Sequence, residues 1–315
     1  MNEEERLKVL EEKAAELRRL AEQDGLDLGA ELAVLERKIA ELRRKLYAEL
    51  SPWARVQLAR RPDRPSGLPF VQALCEAFFE LRGDRVVGDD PALRGGLARL
   101  AGNRLVLLFH HRGSTPEEQR ASRFGMASAQ GYWKAKRLME VAARLRLPLL
   151  TLINTPGAYP GVQAEAHNVA GAIAACIWAM LRHPAPTVAV ILGEGGSGGA
   201  VALAAADRVL MLENATYSVI SPEGAASILW KDAKVAPKAA EALRLTAHEL
   251  YALGVVDEVI PEPMGGAHAD FAATVEAVRE AVLRHLGELS RLPLDELLRA
   301  RYKRYRHVGA QGPGA

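Results

Sequence analysis

The chain has 315 residues, a length that suits one large domain with appendages. Hydrophobic residues make up 49% of it and the net charge is only +2, so composition gives no case for a nucleic-acid or membrane surface as partner. Its two cysteines, Cys75 and Cys176, lie far apart with no CxxC, which excludes a zinc ribbon and reads as two free thiols in a reducing compartment.

The opening MNEEERLKVLEEKAAEL is charged, unlike a secretory leader, and no apolar run reaches the ~20 residues of a bilayer span. These features predict a cytoplasmic protein. Leu7, Leu10, Ala14, Leu17 and Ala21 follow a 3-4 spacing, as do Leu32, Leu35, Ile39, Leu42 and Leu46. With the turn DGLDLG between them, residues 1–50 predict a helical hairpin that packs on itself or on another chain. The segment SPWARVQLARRPDRPSGLPF reads as a proline-broken connector, followed by a helix over roughly Val71–Leu81.

Beyond it the texture changes. LARL and RLVLLFHH predict paired strands joined by a turn at Ala101-Gly102-Asn103. AQGYWKAKRLMEVAARLRL predicts a helix with Tyr132, Ala135, Leu138, Met139 and Ala142 on one face. PLLTLIN, PTVAVIL and RVLML are apolar throughout, as strands buried on both faces are, and helices separate them. SPEGAASILW opens another helix, with Pro222 and Glu223 in its first turn. Strand–helix alternation of this kind predicts an α/β fold with parallel βαβ units. From Phe271 onward only helices are visible, and GAQGPGA reads as a disordered tail.

The stretch VILGEGGSGGAVAL, Val190–Leu203, places five glycines between a strand and an alanine-rich helix. Three chemistries use such a corner. Gly193, Gly195 and Gly198 satisfy a dinucleotide-binding GxGxxG, with Glu213 where a ribose-binding acid belongs, but only about two helical turns follow. Ser197 sits in a GxSxG, the pattern of a nucleophile elbow, with Asp207, Asp232, His248 and His268 downstream and no spacing that singles out partners. The third reading is a backbone anion hole. Amides at a helix start lack intrahelical partners, the helix dipole adds positive charge, and missing Cβ atoms at Gly198 and Gly199 let an oxygen approach. NTPGAYPG, Asn154–Gly161, also follows a buried strand and opens backbone access at Gly157 and Gly161. Two such loops at neighbouring strand ends are where an open α/β sheet forms its crevice.

Several stretches together resemble one family. They are GDRVVGDDPALRGGLARL, FGMASAQGYWKAKRLM, NTPGAYPGVQAEA, GEGGSGGA, TYSVISPEGAASILWKDA and VIPEPMGGAH. In this order they resemble the alpha subunit of the carboxyltransferase component of bacterial acetyl-coenzyme A carboxylase. The resemblance implies a ClpP/crotonase-like superhelix of ββα units, with the N-terminal helical hairpin and C-terminal helices as additions. The boundaries it suggests are 1–85 for hairpin and connector, serving assembly, 86–270 for the carboxyltransferase domain, and 271–315 for the C-terminal helices and tail.

The implied reaction moves a carboxyl group from carboxybiotin, on a biotin carboxyl carrier protein, to acetyl-CoA, giving malonyl-CoA. The implied partners are a beta subunit in an α2β2 assembly, which carries the zinc and holds most of the acetyl-CoA, and a biotin carboxylase. No metal is expected in this chain. The implied oxyanion hole for the biotin ureido oxygen falls on the amides of Gly198 and Gly199, with Gly157, Ala158, Gly161, Gly195 and Gly196 shaping the biotin pocket. Lys134 and Lys136, near the FGM loop, could attract the carboxylate, but the favoured reading is a solvated helix face. Tyr217, Ser221 and Glu223 read as ordering the next loop or capping its helix. The rival reading from another class is a non-catalytic crotonase-like scaffold.

Overall fold

A computed structural model of the chain describes residues 3–24, 28–48 and 50–309. The chain divides into two compact units, one of Met1–Ser51 with Pro263–Gly265, the other of Pro52–Glu262 with Gly266–Ala315. In the first, α1 (Glu3–Asp24) lies against α2 (Gly29–Ala48). Leu7, Ala14 and Ile39 are buried, flanked by Leu10, Leu35, Leu42 and Tyr47, so the two apolar stripes close on each other. Arg18 and Glu36 pair across them at 2.6 Å. The centre of the predicted turn, residues 25–27, lies outside the described residues, as does the predicted tail from residue 310.

The second unit begins with α3 (Pro52–Ala59) and α4 (Gly67–Leu74), then β1 (Ala77–Glu80), β2 (Leu93–Leu100) and β3 (Asn103–His110). Here one expectation is corrected. The predicted helix Val71–Leu81 is helical only to Leu74, its C-cap Cys75 is extended at φ −100° and ψ 132°, and Ala77–Glu80 pairs antiparallel with β2. Tertiary pairing overrides helical spacing because Phe78 packs edge-on against Phe109 and β2 supplies a ladder. A glycine makes this approach feasible, since a Cβ on Gly96 would lie 2.0 Å from the Phe79 carbonyl oxygen. Strands β2 and β3 form the predicted hairpin, with Ala101 and Gly102 both at positive φ, 46° and 77°, as a tight primed turn requires.

The chain continues through α5 (Pro116–Ala121), α6 (Ala129–Leu145), β4 (Leu149–Thr155), α7 (Val162–Ala166), α8 (Val169–Leu181), β5 (Thr187–Gly196), α9 (Ser197–Ala204), β6 (Arg208–Leu212) and β7 (Thr216–Ser218). It closes with α10 (Pro222–Trp230), α11 (Ala236–Leu243), α12 (Ala247–Ala252), β8 (Glu258–Ile260), α13 (Phe271–Ser290) and α14 (Leu294–His307). The sheet runs β1-β2-β3-β4-β5-β6-β8 and is parallel from β3 onward. Every residue of β4 is buried, as is every residue of β5 up to Gly195, as their unbroken apolar runs require. β5 changes partner along its length. Val188–Ile191 pair with β6, whereas Glu194–Gly196 pair with β7, so the glycine-rich end of β5 projects past the main sheet.

The C-terminal helix is locked by one buried cation. Arg301 on α14 is 1% exposed and meets both carboxylate oxygens of Asp207 at 2.7 and 2.8 Å. Its other donors reach the carbonyls of Met180, Leu181, His183 and Ala185. A planar fork with five donors suits this task in a way no other side chain does. Arg301→Met leaves Asp207 buried without its counter-ion and is expected to cost about 3–5 kcal/mol of stability, measured by urea unfolding.

Candidate active site

The site is built where β5 turns into α9. Glycines at every third position face the loop that follows β4. A Cβ on Gly193 would lie 2.8 Å from Asn154 Oδ1, one on Gly196 2.1 Å from the Pro156 carbonyl oxygen, and one on Gly199 2.7 Å from the Gly157 carbonyl carbon. At Gly196 and Gly199 the two segments therefore touch backbone to backbone, and only glycine permits it, whereas Gly193 makes room for the Asn154 side chain at the end of β4. Between these contacts the turn is sharp, with Ser197 at φ +48° and exposed. A serine held in this region is strained and marks a position that the surrounding structure imposes.

The first-turn amides of α9 include those of Gly198 and Gly199, and helix geometry leaves them without intrahelical acceptors. Gly198 has room, its Cβ position meeting only Ile173 at 3.4 Å, and nothing lies within 4 Å of that position on Gly157, whose φ is +154°. Gly157, Ala158, Gly196 and Gly199 are thus brought together, with Gly195 on the side facing Tyr217 and β7. Gly161 is placed differently. It is the N-cap of α7, and a side chain there would strike the Tyr159 ring at 2.3 Å.

Around the corner runs a charge network that sequence reading missed. Glu194, 7% exposed, takes Arg60 at 2.7 Å on one oxygen and Arg112 at 2.9 Å on the other. Asn154 Oδ1 accepts both from Arg112 and from the Glu194 amide, tying the two glycine loops together. Arg60 also reaches Glu223 at 2.5 Å, and Arg64 is bidentate on buried Glu262 while donating to the Leu192 carbonyl. Burial alone would raise the Glu223 and Glu262 pKa values, but their arginines, together with hydrogen bonds from Ser221 to Glu223 and from Asn214 to Glu262, reverse it, and both stand below the usual carboxylate range. The segment read as a connector is thus the source of the arginines that hold the ends of β5 and β8. Its signal was the run ARRPDR, whose partners lie more than a hundred residues away. A polar cleft of about 350 Å³ opens beside it, lined by Arg60, Arg61, Ser66, Arg112, Phe124 and Asn154 among others. A hollow of about 40 Å³ lies against Pro156, Glu194, Gly195, Gly196 and Ser218.

Lys134 departs from its predicted solvated role. It is 1% exposed, pairs with Asp89 and donates to the Asp90 carbonyl at 2.8 Å. Burial lowers its pKa, and Asp89 offsets that only in part. Lys136 stays on the surface, paired with Glu140 at 2.7 Å one helical turn on. Ser221 caps α10 by accepting from the Gly224 amide at 3.1 Å. Tyr217 pairs with the end of β5, and burial raises its pKa.

The other readings of the corner lack geometry. α9 spans eight residues, too short for a dinucleotide crossover helix, and Glu213 is committed to the Glu262 amide at 3.3 Å and to His248 at 3.7 Å. Among the described residues the Ser197 hydroxyl has no hydrogen bond to a histidine, so no triad forms there. No group of three or more His, Cys, Asp or Glu among the described residues is arranged to hold a metal ion.

Solved structures with a similar overall fold have the crotonase fold. One is a Pseudomonas malonate decarboxylase hetero-tetramer in complex with coenzyme A, at TM-score 0.62 and 21% identity, covering 78% of this chain and 97% of that one. Another is transcarboxylase 12S, at TM-score 0.55 and 20% identity over 70% of this chain, which spans 44% of that chain's length. The fold class is therefore that of a crotonase-like carboxyltransferase. Residues 1–309 match the family model described as "Acetyl co-enzyme A carboxylase carboxyltransferase-like". The acetyl-coenzyme A carboxylase carboxyl transferase subunit alpha of Thermus thermophilus is 52% identical over 296 residues, 94% of this chain and 95% of that protein. The protein of the same name from Deinococcus radiodurans is 51% identical over 304 residues, 96% of each. The chain belongs to the family of acetyl-coenzyme A carboxylase carboxyltransferase alpha subunits.

The glycine geometry separates two neighbours. Gly199→Ala pushes a methyl into the Gly157–Ala158 peptide and is expected to cost about 1–3 kcal/mol, whereas Gly198→Ala should stay within ~0.5 kcal/mol of the parent. Thermal melts of the two variants make the comparison.

Proposed function

We propose that this chain, as the alpha subunit, transfers a carboxyl group from carboxybiotin on a carrier protein to acetyl-CoA, giving malonyl-CoA, within an α2β2 assembly completed by a beta subunit. The observation that carries the reading is the glycine-only junction at which the first-turn amides of α9 meet the Pro156–Ala158 loop. Its donor set is main chain, fixed in place and uncharged. Such donors suit a substrate oxygen that is neutral when bound and anionic during transfer.

When bound, carboxybiotin would supply the carboxyl group and a ureido oxygen on which charge collects as that group leaves. The residues present fit this group. Gly157 leaves open space beside its backbone, the Cβ position of Gly198 touches only Ile173, and the amides of Gly198 and Gly199 sit at the positive end of α9. Those amides hold the developing charge, and one such donor is worth about 3 kcal/mol in the transition state. Gly195 and Gly196 line the small hollow with Pro156, and the Ala158 nitrogen packs against Gly199. Gly161 acts at one remove by starting α7. Glu194, neutralised by Arg60 and Arg112, keeps the base of the site rigid without placing a free carboxylate near the charge.

The acyl-CoA is assigned mainly to the beta subunit, and the biotin on its carrier is charged by a biotin carboxylase. No helix among the described residues is long and apolar enough to cross a membrane, which accords with a cytoplasmic site of action.

The test combines the purified chain with the beta subunit of a matching operon and a carrier bearing carboxybiotin, and follows malonyl-CoA. Gly198→Val adds two methyls beyond a Cβ already in contact with Ile173, displaces the first-turn amides, and is expected to lower turnover about 10²-fold. Ser197→Ala should stay within about twofold, since no base contacts that hydroxyl. A Gly198→Val complex with parental turnover would show that the corner is scaffold only.

A further inference from the structure

Tyr132 on α6 is completely buried, and its hydroxyl has no hydrogen-bond partner among the described residues. Burial also raises its pKa, so the group is a neutral O–H. Native interiors rarely leave a side-chain donor unpaired, because desolvation without a partner is destabilising. A phenylalanine would fill the same space without that penalty.

The place of this hydroxyl is specific. The point where a Gly199 Cβ would stand lies 3.0 Å from the Tyr132 hydroxyl, 2.7 Å from the Gly157 carbonyl carbon and 2.8 Å from the Ala158 nitrogen. The phenol, the Gly157–Ala158 peptide and the first turn of α9 therefore converge. That peptide has a donor already, since Thr155 Oγ1 gives its proton to the Gly157 carbonyl at 2.8 Å and accepts from the Gly157 amide at 3.1 Å. One side of that peptide is open, since nothing lies within 4 Å of the Cβ position of Gly157.

We propose that Tyr132 is a positioning residue for carboxyl transfer, its hydroxyl being the second, reserve donor for the Gly157 carbonyl. While the site is neutral, Thr155 holds that carbonyl. As charge develops in front of α9, the Tyr132 hydroxyl closes on the second lone pair of that carbonyl, and the Ala158 N–H donates more strongly. A hydrogen bond to one end of a peptide polarises it and strengthens donation from the other end. The contact exists only during turnover, so it acts on kcat and not on KM. This role rests on the function proposed above.

Tyr132→Phe in the full complex with the beta subunit and a carboxybiotin-bearing carrier tests it. The expected result is a melting temperature equal to or above the parent, KM for both substrates within about twofold, and kcat lower by about tenfold, the worth of one neutral hydrogen bond formed in the transition state. A kcat equal to the parent overturns the proposal. So does a lowered melting temperature with KM and kcat both impaired, which would make the phenol a packing element. If the parent complex itself forms no malonyl-CoA, the function proposed above falls and this role with it. If the parent turns over and Tyr132→Phe matches it, only the role of Tyr132 falls.

Discussion

The structure depends on one close approach, that of the β5–α9 backbone to the backbone of the loop after β4. Gly196 and Gly199 remove the atoms that would keep these segments apart, and Gly193 makes room for the Asn154 side chain beneath them. The contact has a mechanical consequence and a chemical one. Mechanically, it joins the carboxyl ends of two buried parallel strands at the point where β5 leaves β6 and takes β7 as its neighbour. Chemically, it sets the free amides of a helix start beside an open backbone, with no side chain in between. Catalysis by positioning and fixed dipoles asks for rigid donors, and main-chain groups held by glycine packing are rigid at no side-chain entropy cost.

Rigidity at the base of the site comes from charge. Glu194 faces two arginines that come from separate segments, Arg60 after α3 and Arg112 after β3, and Asn154 bridges the same ensemble to the opposite loop. Two other buried acids each have their own cation, Arg64 for Glu262 near the site and Arg301 for Asp207 at the far end of β5. Pairing of this sort adds little net stability over an apolar core, but breaking a pair is costly, which favours one arrangement over its neighbours. The corner can thus remain uncharged overall while being surrounded by ionised groups.

Much of this was legible in the residues. The apolar runs of β4 and β5, the turn at Ala101-Gly102 and the amphipathic pattern of α6 announce themselves through local spacing, and local spacing is what periodicity reads. The glycine corner was visible as an anomaly, and the backbone reading of it followed from the absence of any triad. What stayed hidden depends on distance along the chain. Ala77–Glu80 continued a helical pattern until the edge of β2 offered a better ladder. Lys134 looked like a surface lysine because Asp89, its partner, lies on another segment. Arg60 and Arg64 looked like part of a polar connector because Glu194, Glu223 and Glu262 reach them only in the folded chain.

By itself, the sequence determined which stretches are strands buried on both faces, where most of the helices lie, and where the chain must turn through glycine. These follow from side-chain volume, polarity and backbone freedom, all properties of residues and near neighbours. Only the tertiary structure decided that Gly199 is closed by packing while Gly198 stays open, that Glu194 is held between two arginines, and that the Tyr132 hydroxyl stands unpaired against the Gly157–Ala158 peptide. Those are statements about which atoms meet across many residues of chain, and contact between remote segments is fixed by the packing of the whole sheet and its helices.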